Sequence, residues 1–299
     1  MKLGTVLHQG LNKVVAVKSD TELVDLSDLW PDMVALVEGG PAALDRARAR
    51  LGEGTPSVAL ADVEMRCPIR PVQYRDCLVF ELHLKNCSDA FERTNGSGFD
   101  IPAVWYSQPI YYKGNRMSFI GHGQDVQWPA YAEHLDVELE MAIIIGKQGK
   151  DISKADAPGY IWGYTILNDV SARDAQMAEM PGQLGPAKGK DFDTGNILGP
   201  WIVTADEIPH PARLDMELHV NGDRWGGGNS ASMQHDFARI IEHISSSETL
   251  YPGEVIGSGT VGTGCGLELD KRLSPGDRFD LTIEKIGTLS NRIVREQPE

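Results

Sequence analysis

Residues 135–146 read LDVELEMAIIIG. In a β-strand alternate side chains share a face. Leu135, Val137, Leu139 and Met141 then fall on one face, and Asp136, Glu138 and Glu140 on the other. Residues two apart along a strand stand about 7 Å from each other, at roughly 3.3 Å of rise each. Two carboxylates at that spacing can converge on one small cation, whose oxygen ligands lie at about 2.0–2.6 Å. An amphipathic strand with a solvated acidic face fits the same pattern, and the strand alone leaves both readings open.

Oxygen donors without histidine or thiol suit Mg²⁺, Mn²⁺ or Ca²⁺ rather than zinc. A third carboxylate is then expected from elsewhere, and GYTILNDVSARDAQ offers one. Its apolar run, Tyr164 to Leu167, leads into Asn168 and Asp169, and SARDAQ reads as the start of a helix or turn. Asp169 at a strand end is well placed to ligate, although Asp169 or Ser171 could equally cap the helix. Arg173 and Gln176 follow at a helical i, i+3 spacing and would share a face.

Around this stretch the chain is rich in turns, with 32 glycines and 17 prolines in 299 residues. Residues 3–17 suggest two short strands about the turn QGLN, and PAALDRARARL (41–51) reads as a helix begun by proline. Near residue 70 the texture changes to more glycine and longer apolar runs. The expected division is a small α+β N-terminal domain, 1–70, and a larger domain, 71–299. In the larger part MELHV-NG-DRW is a hairpin, since Asn221-Gly222 suits the two positive φ angles of a type I′ turn. Phe237, Ile240, Ile241 and Ile244 mark a helix within 234–247. The fold class read from these signals is α+β, mostly β.

The formal net charge is −15. A surface that acidic repels nucleic acid and anionic membrane, so neither is an expected partner, and an anionic substrate needs a local cationic pocket. The four cysteines show no C-x-x-C spacing and none lies beside a histidine cluster in sequence, so neither a zinc site nor a disulfide framework is expected. MKLGTVLHQG lacks a signal-like apolar run, and MAIII falls far short of a membrane span. A soluble cytoplasmic protein is expected.

Four segments, LDVELEMA, NDVSARDAQ, KGKDFDTGNILGPWIV and PGEVIGSGTVG…GLEL…PGD, resemble, in this order, the fumarylacetoacetate hydrolase family over roughly residues 70–295. The resemblance implies a mixed β-sandwich roll, a homodimer, and a divalent metal held by carboxylates. It places the metal on Glu138, Glu140 and Asp169, with Asp76 joining the shell. It also places substrate contacts on Arg173 and Gln176, a lysine beside the metal at Lys190, and further substrate or metal-shell positions on Thr260 and Thr194.

In YRDCLVFELHLKN, His83 follows Asp76 by seven residues, which resembles the hydrolase proper, where the histidine activates water. Glu268 of GLEL matches the residue that orients that histidine. Other relatives carry a His-x-x-Glu pair on a lid, and here Asn86 stands where that glutamate would be. The polar stretch KNCSDAFERTNGSGFD, followed by strand-like IPAVWYSQPIYY, makes 80–108 an expected mobile lid.

The implied activity is hydrolysis of a C–C bond in a small anionic 1,3-dicarbonyl acid of the acylpyruvate type. The divalent ion would hold the enolate, Lys190 and Arg173 would stabilise oxyanions, and His83 would activate water. Decarboxylation or tautomerisation of an oxaloacetate-type β-keto acid uses the same site without the base. A non-enzymatic metal-binding β domain is the third reading, and it requires Arg173, Gln176 and Lys190 to lack a common focus.

Overall fold

Strand Leu139–Ile145, the second half of the opening stretch, is buried along its whole length in the computed structural model, which describes residues 1–52 and 54–295. Its two faces feed different cores. Leu139, Met141, Ile143 and Ile145 pack with Leu218, Phe279, Leu281 and Ile283 from a second sheet and with Phe237, Ile240 and Ile241. On the other face Ala142 and Ile144 pack with Leu3, Val14, Trp30, Leu36 and Ala43 from the N-terminal segment. The acidic face is therefore not solvated. It is the same face as Ala142 and Ile144, at the end where apolar cover gives way to a cavity.

The strand belongs to a twelve-stranded mixed sheet. In spatial order its main path runs Ser57–Ala59, Glu22–Asp25, Leu11–Val17, Lys2–His8, Asn196–Thr204, Ile161–Asp169, Leu139–Ile145, Val255–Gly257, Tyr74–Cys77 and Tyr111–Lys113. The second sheet has five strands, Asp223–Asn229, Asp215–Val220, Arg278–Ile283, Gly287–Val294 and Asp125–Gln127. Helix Phe237–Ser245 closes the core, capped by Asp236, whose carboxylate accepts from the Arg239 N–H at 2.8 Å. The architecture is α+β and mostly β.

Local signals place the turns. Asn221 and Gly222 have φ of 53° and 86°, as the hairpin requires, and Gln9 and Gly10 turn the first hairpin at 51° and 79°. Helix Gly40–Gly52 lies where PAALDRARARL predicts one. The N-terminal segment adds strands to the edge of the large sheet, with Leu3 opposite Ile202, and shares a core with it. Sheet and core are thus continuous across the division drawn at residue 70.

The segment expected as a mobile lid is mainly helical. Residues Glu81–Asn95 form a helix, and the strand-like stretch 101–112 begins with helix Ala103–Ser107 before strand Tyr111–Lys113. The reason is a buried face at His83, Leu84, Cys87 and Ala90, a 3.6-residue period hidden among Asn86, Ser88 and Asp89. Gly96 ends the helix at φ 81°, its N–H donating to the Glu92 carbonyl.

Candidate active site

Three strands deliver the carboxylates. Asp76 lies in Tyr74–Cys77, Glu140 in Leu139–Ile145, and Asp169 is the last residue of Ile161–Asp169. All three are buried, and each offers an oxygen within 4.8 Å of the others. The approach depends on glycine. A Cβ at Gly257, the register partner of Asp76, would stand 2.1 Å from Asp76 Oδ1. Gly259, at φ 80°, turns its N–H to Glu140 Oε2 at 3.1 Å and to Asp76 Oδ1 at 3.2 Å.

Electrostatics marks this trio as short of positive charge. Burial first, then the charge of Asp169, pushes Asp76 up to about 8. Burial, then Asp76 and Asp169, raises Glu140 well above its usual range, and burial raises Asp169. Asp169 Oδ1 is buried with no hydrogen-bond partner among the described residues. An orphaned carboxylate oxygen and an all-oxygen donor set fit a hard divalent cation. The protein thus carries a buried acidic cluster that could hold one.

Glu138 stands beside this trio, in the break between Leu135–Asp136 and Leu139–Ile145. Its Oε2 accepts from Lys190 Nζ at 2.5 Å and its Oε1 pairs with Arg173 Nη1 at 2.7 Å. Burial would raise Glu138, but Lys190 and Arg173 outweigh it and hold the carboxyl well below its usual range. Lys190 also donates to Asp169 Oδ2 at 2.6 Å, and against the effect of burial Asp169 and Glu138 keep it charged. Arg173 is anchored behind by Asp136 Oδ2, at 2.9 Å from Nε and 2.8 Å from Nη2, and donates from Nη1 to Gln176 Oε1 at 3.0 Å. Thr260 Oγ1 lies 3.4 Å from Glu140 Oε1.

Arg173, Gln176, Lys190 and Thr260 line one cavity of about 620 Å³ with Asp76, Glu138, Glu140 and Asp169. This common focus removes the ground for the non-enzymatic reading. Thr194 is not on that wall; its Oγ1 accepts from the Gln127 N–H at 2.8 Å. The same cavity also has apolar lining, from Leu84, Phe91, Phe99, Met177 and Met180.

His83 joins the same wall from helix Glu81–Asn95. Its Nδ1 lies 2.8 Å from Glu268 Oε1. The other oxygen of Glu268 accepts from Asn86 Nδ2 and from the Thr263 N–H, each at 2.7 Å. Burial would push the ring down, but hydrogen bonds to Cys265 and Glu268 outweigh it and hold the imidazole up at about 10. Cys265 is itself raised well above its ordinary value by burial.

Sequence reasoning missed two members of the site. Tyr112, which donates to Asp169 Oδ2 at 2.7 Å, faces Asp76 only through strand pairing and has no local signature. Asp136 was visible as the third acid of the strand, but its partner Arg173 comes from a different element. Cysteines and a histidine that form no cluster in sequence meet in space. Cys87 and Cys265 both reach His83 once the chain folds, the latter across 182 positions of sequence.

Residues 74–294 match the family model described as fumarylacetoacetate (FAA) hydrolase C-terminal. The chain is 34% identical over 289 residues to the oxaloacetate tautomerase YisK of Bacillus subtilis (strain 168), covering 92% of this chain and 91% of that one. Among solved structures it resembles the fumarylacetoacetate hydrolase of Exiguobacterium antarcticum, at TM-score 0.80 and 26% identity over 99% of this chain and 100% of that one. It also resembles the maleylpyruvate hydrolase of Sphingobium sp. SYK-6 solved with manganese(II) and pyruvate, at TM-score 0.78 and 26% identity over 99% and 100%. On the buried acidic cavity, the fold and these matches, the chain belongs to the fumarylacetoacetate hydrolase family.

Proposed function

We propose that the protein is a divalent-metal-dependent enzyme that hydrolyses a C–C bond in a small 1,3-dicarbonyl acid of the acylpyruvate type. The observation that carries this reading is the His83–Glu268 pair, 2.8 Å apart, on the wall that also bears the acidic trio. Asp76, Glu140 and Asp169 would hold Mg²⁺ or Mn²⁺, with Glu138 beside them. Such an ion, when bound, polarises the oxygens of a chelating dicarbonyl and makes nearby proton-bearing groups stronger acids.

Everything else falls to this chain's side chains. His83 takes a proton from water, and Glu268 fixes the ring and stabilises the imidazolium that results. The hydroxyl adds to the carbonyl carbon remote from the 2-oxo acid end. The C–C bond breaks, and the proton from His83 goes to the leaving carbon, giving a carboxylic acid and a 2-oxo acid. Lys190 and Arg173 place positive charge where oxygen becomes negative. The apolar lining at Leu84, Phe91, Phe99 and Met177 suits an uncharged acyl substituent.

A second reading is tautomerisation of an oxaloacetate-type β-keto acid. It is favoured by the proton that His83 holds to about 10, since a protonated ring is a donor to an enolate before it is a base toward water. One relative matched along nearly the whole chain is an oxaloacetate tautomerase. The test is an assay with Mn²⁺ of wild type and His83→Ala on acylpyruvates and on oxaloacetate. Release of a carboxylic acid and pyruvate from an acylpyruvate, lost in His83→Ala, supports hydrolysis. Hydrolysis undiminished in the variant overturns the role of His83, and rapid enol-to-keto conversion without C–C cleavage of any substrate selects the second reading.

A further inference from the structure

The wall that carries the dyad also carries two sulfurs. His83 and Cys87 are one turn apart on helix Glu81–Asn95 and share a face, with the Cys87 Sγ 3.7 Å from Nε2 and 3.8 Å from Nδ1. Opposite them, Cys265 is the N-cap of the short helix Gly266–Leu269, and Glu268 lies in its first turn. The Cys265 Sγ stands 3.4 Å from Glu268 Oε1. One ligand atom each from His83, Cys265 and Glu268 fall within 4.8 Å of one another. All four side chains are buried, and His83 and Cys87 open onto the cavity.

We propose that His83, Cys265 and Glu268, with Cys87 as fourth donor, form a second metal site that takes a soft divalent ion of the zinc class, and that filling it withdraws the dyad from catalysis. The donor sets separate the two sites. Asp76, Glu140 and Asp169 offer only oxygen, which suits Mg²⁺ and Mn²⁺. Nitrogen, carboxylate oxygen and thiolate sulfur in a tetrahedral arrangement suit zinc. Two light ligands of one tetrahedral zinc lie about 3.3 Å apart, from bonds of about 2.0–2.1 Å. The 2.8 Å His83–Glu268 contact therefore has to open by about half an ångström. Entry runs through the cavity, past His83 and Cys87. Each sulfur that ligates gives up its proton and the ring gives up the one it carries, so binding releases protons to solvent.

The inhibition rests on the reading of His83 and Glu268 as the catalytic dyad; the binding does not. The experiment titrates Co²⁺ into the full chain and follows thiolate-to-cobalt charge-transfer absorption in the near ultraviolet. The band is expected in wild type and in Asp169→Asn, where the oxygen site is damaged, lost in Cys265→Ser and weakened in Cys87→Ser. No band in wild type overturns the site, as does a band that survives in Cys265→Ser. Because each single variant is checked by circular dichroism, a misfolded Cys265→Ser is replaced as the deciding variant by Cys87→Ser, where an unweakened band overturns the four-donor site. In parallel, zinc is added to the Mn²⁺-loaded enzyme. Wild type should be inhibited, and Cys265→Ser should need at least about tenfold more zinc, since even outer partners of a metal are worth that much. A cobalt–thiolate band without zinc inhibition keeps the site and overturns the dyad reading instead.

Discussion

The Lys190 ammonium lies 2.6 Å from one carboxylate oxygen of Asp169, while the other oxygen of Asp169 is buried without a hydrogen-bond partner among the described residues. One oxygen is thus neutralised by a fixed cation, and the other is left for a ligand. A buried acceptor without a partner is costly, and a site built to receive a cation is one setting in which such a cost persists.

Asp169→Asn should therefore weaken Mn²⁺ binding by at least about tenfold, because it removes both a charge and a ligand oxygen. Thermal denaturation reads this directly. Mn²⁺ at a hundred times its dissociation constant stabilises the wild type by about 2.7 kcal/mol, and at the same concentration a tenfold weaker site stabilises the variant by about 1.4 kcal/mol, so its melting point should rise about half as far or less. An equal shift in both proteins would exclude Asp169 from the shell.

Asp136 anchors Arg173 from inside the protein, and both are buried. Asp136→Ala leaves the guanidinium with one carboxylate partner, Glu138, and should cost about 3–5 kcal/mol in urea unfolding, as breaking one side of a buried ion pair does. A loss under about 1 kcal/mol, the range of an exposed pair, would show that Arg173 repacks freely.

Gly257→Ala tests the closeness of two strands. Its methyl would meet Asp76 Oδ1 at 2.1 Å and Leu167 Cδ2 at 2.5 Å. Overpacking of this kind costs about 1–3 kcal/mol, and here it also displaces a carboxylate of the trio. Reduced stability together with weaker Mn²⁺ affinity is expected; reduced stability with unchanged affinity would separate Asp76 from the metal shell.

The His83 proton gives a pH test of the two reactions. The ring is raised from its ordinary value to about 10, so it is charged at neutrality and becomes a base only as pH climbs toward that value. If water is activated by the neutral ring, kcat/KM for hydrolysis rises through the alkaline range and levels off above the apparent pKa, and a bound divalent ion moves the rise to lower pH. If the charged ring is the proton donor of a tautomerase, the rate is level through neutrality and falls on the alkaline side. Profiles of both reactions on the Mn²⁺-loaded enzyme distinguish the two.

The sequence by itself determined the parts governed by neighbours along the chain. The Asn221-Gly222 turn, the helix around Ile240 and Ile241, and the mostly-β α+β class follow from local φ preference and side-chain period. The alternation of Glu138 and Glu140 and the NDVSARDAQ segment pointed to the site, because carboxylates on a strand and at its end leave short-range patterns. The helix Glu81–Asn95 carried no clear local signal, since polar residues at Asn86, Ser88 and Asp89 mask an apolar face that only packing reveals.

Tertiary structure decided the rest. It put Glu138 among cations and Asp76 among anions, although both are carboxylates of the same fold. It turned Tyr112 toward Asp169, and it gathered Cys87, Cys265 and Glu268 around His83. Coulomb energy and ligation depend on distances of a few ångströms between groups far apart in sequence, and no period or motif along the chain encodes those distances.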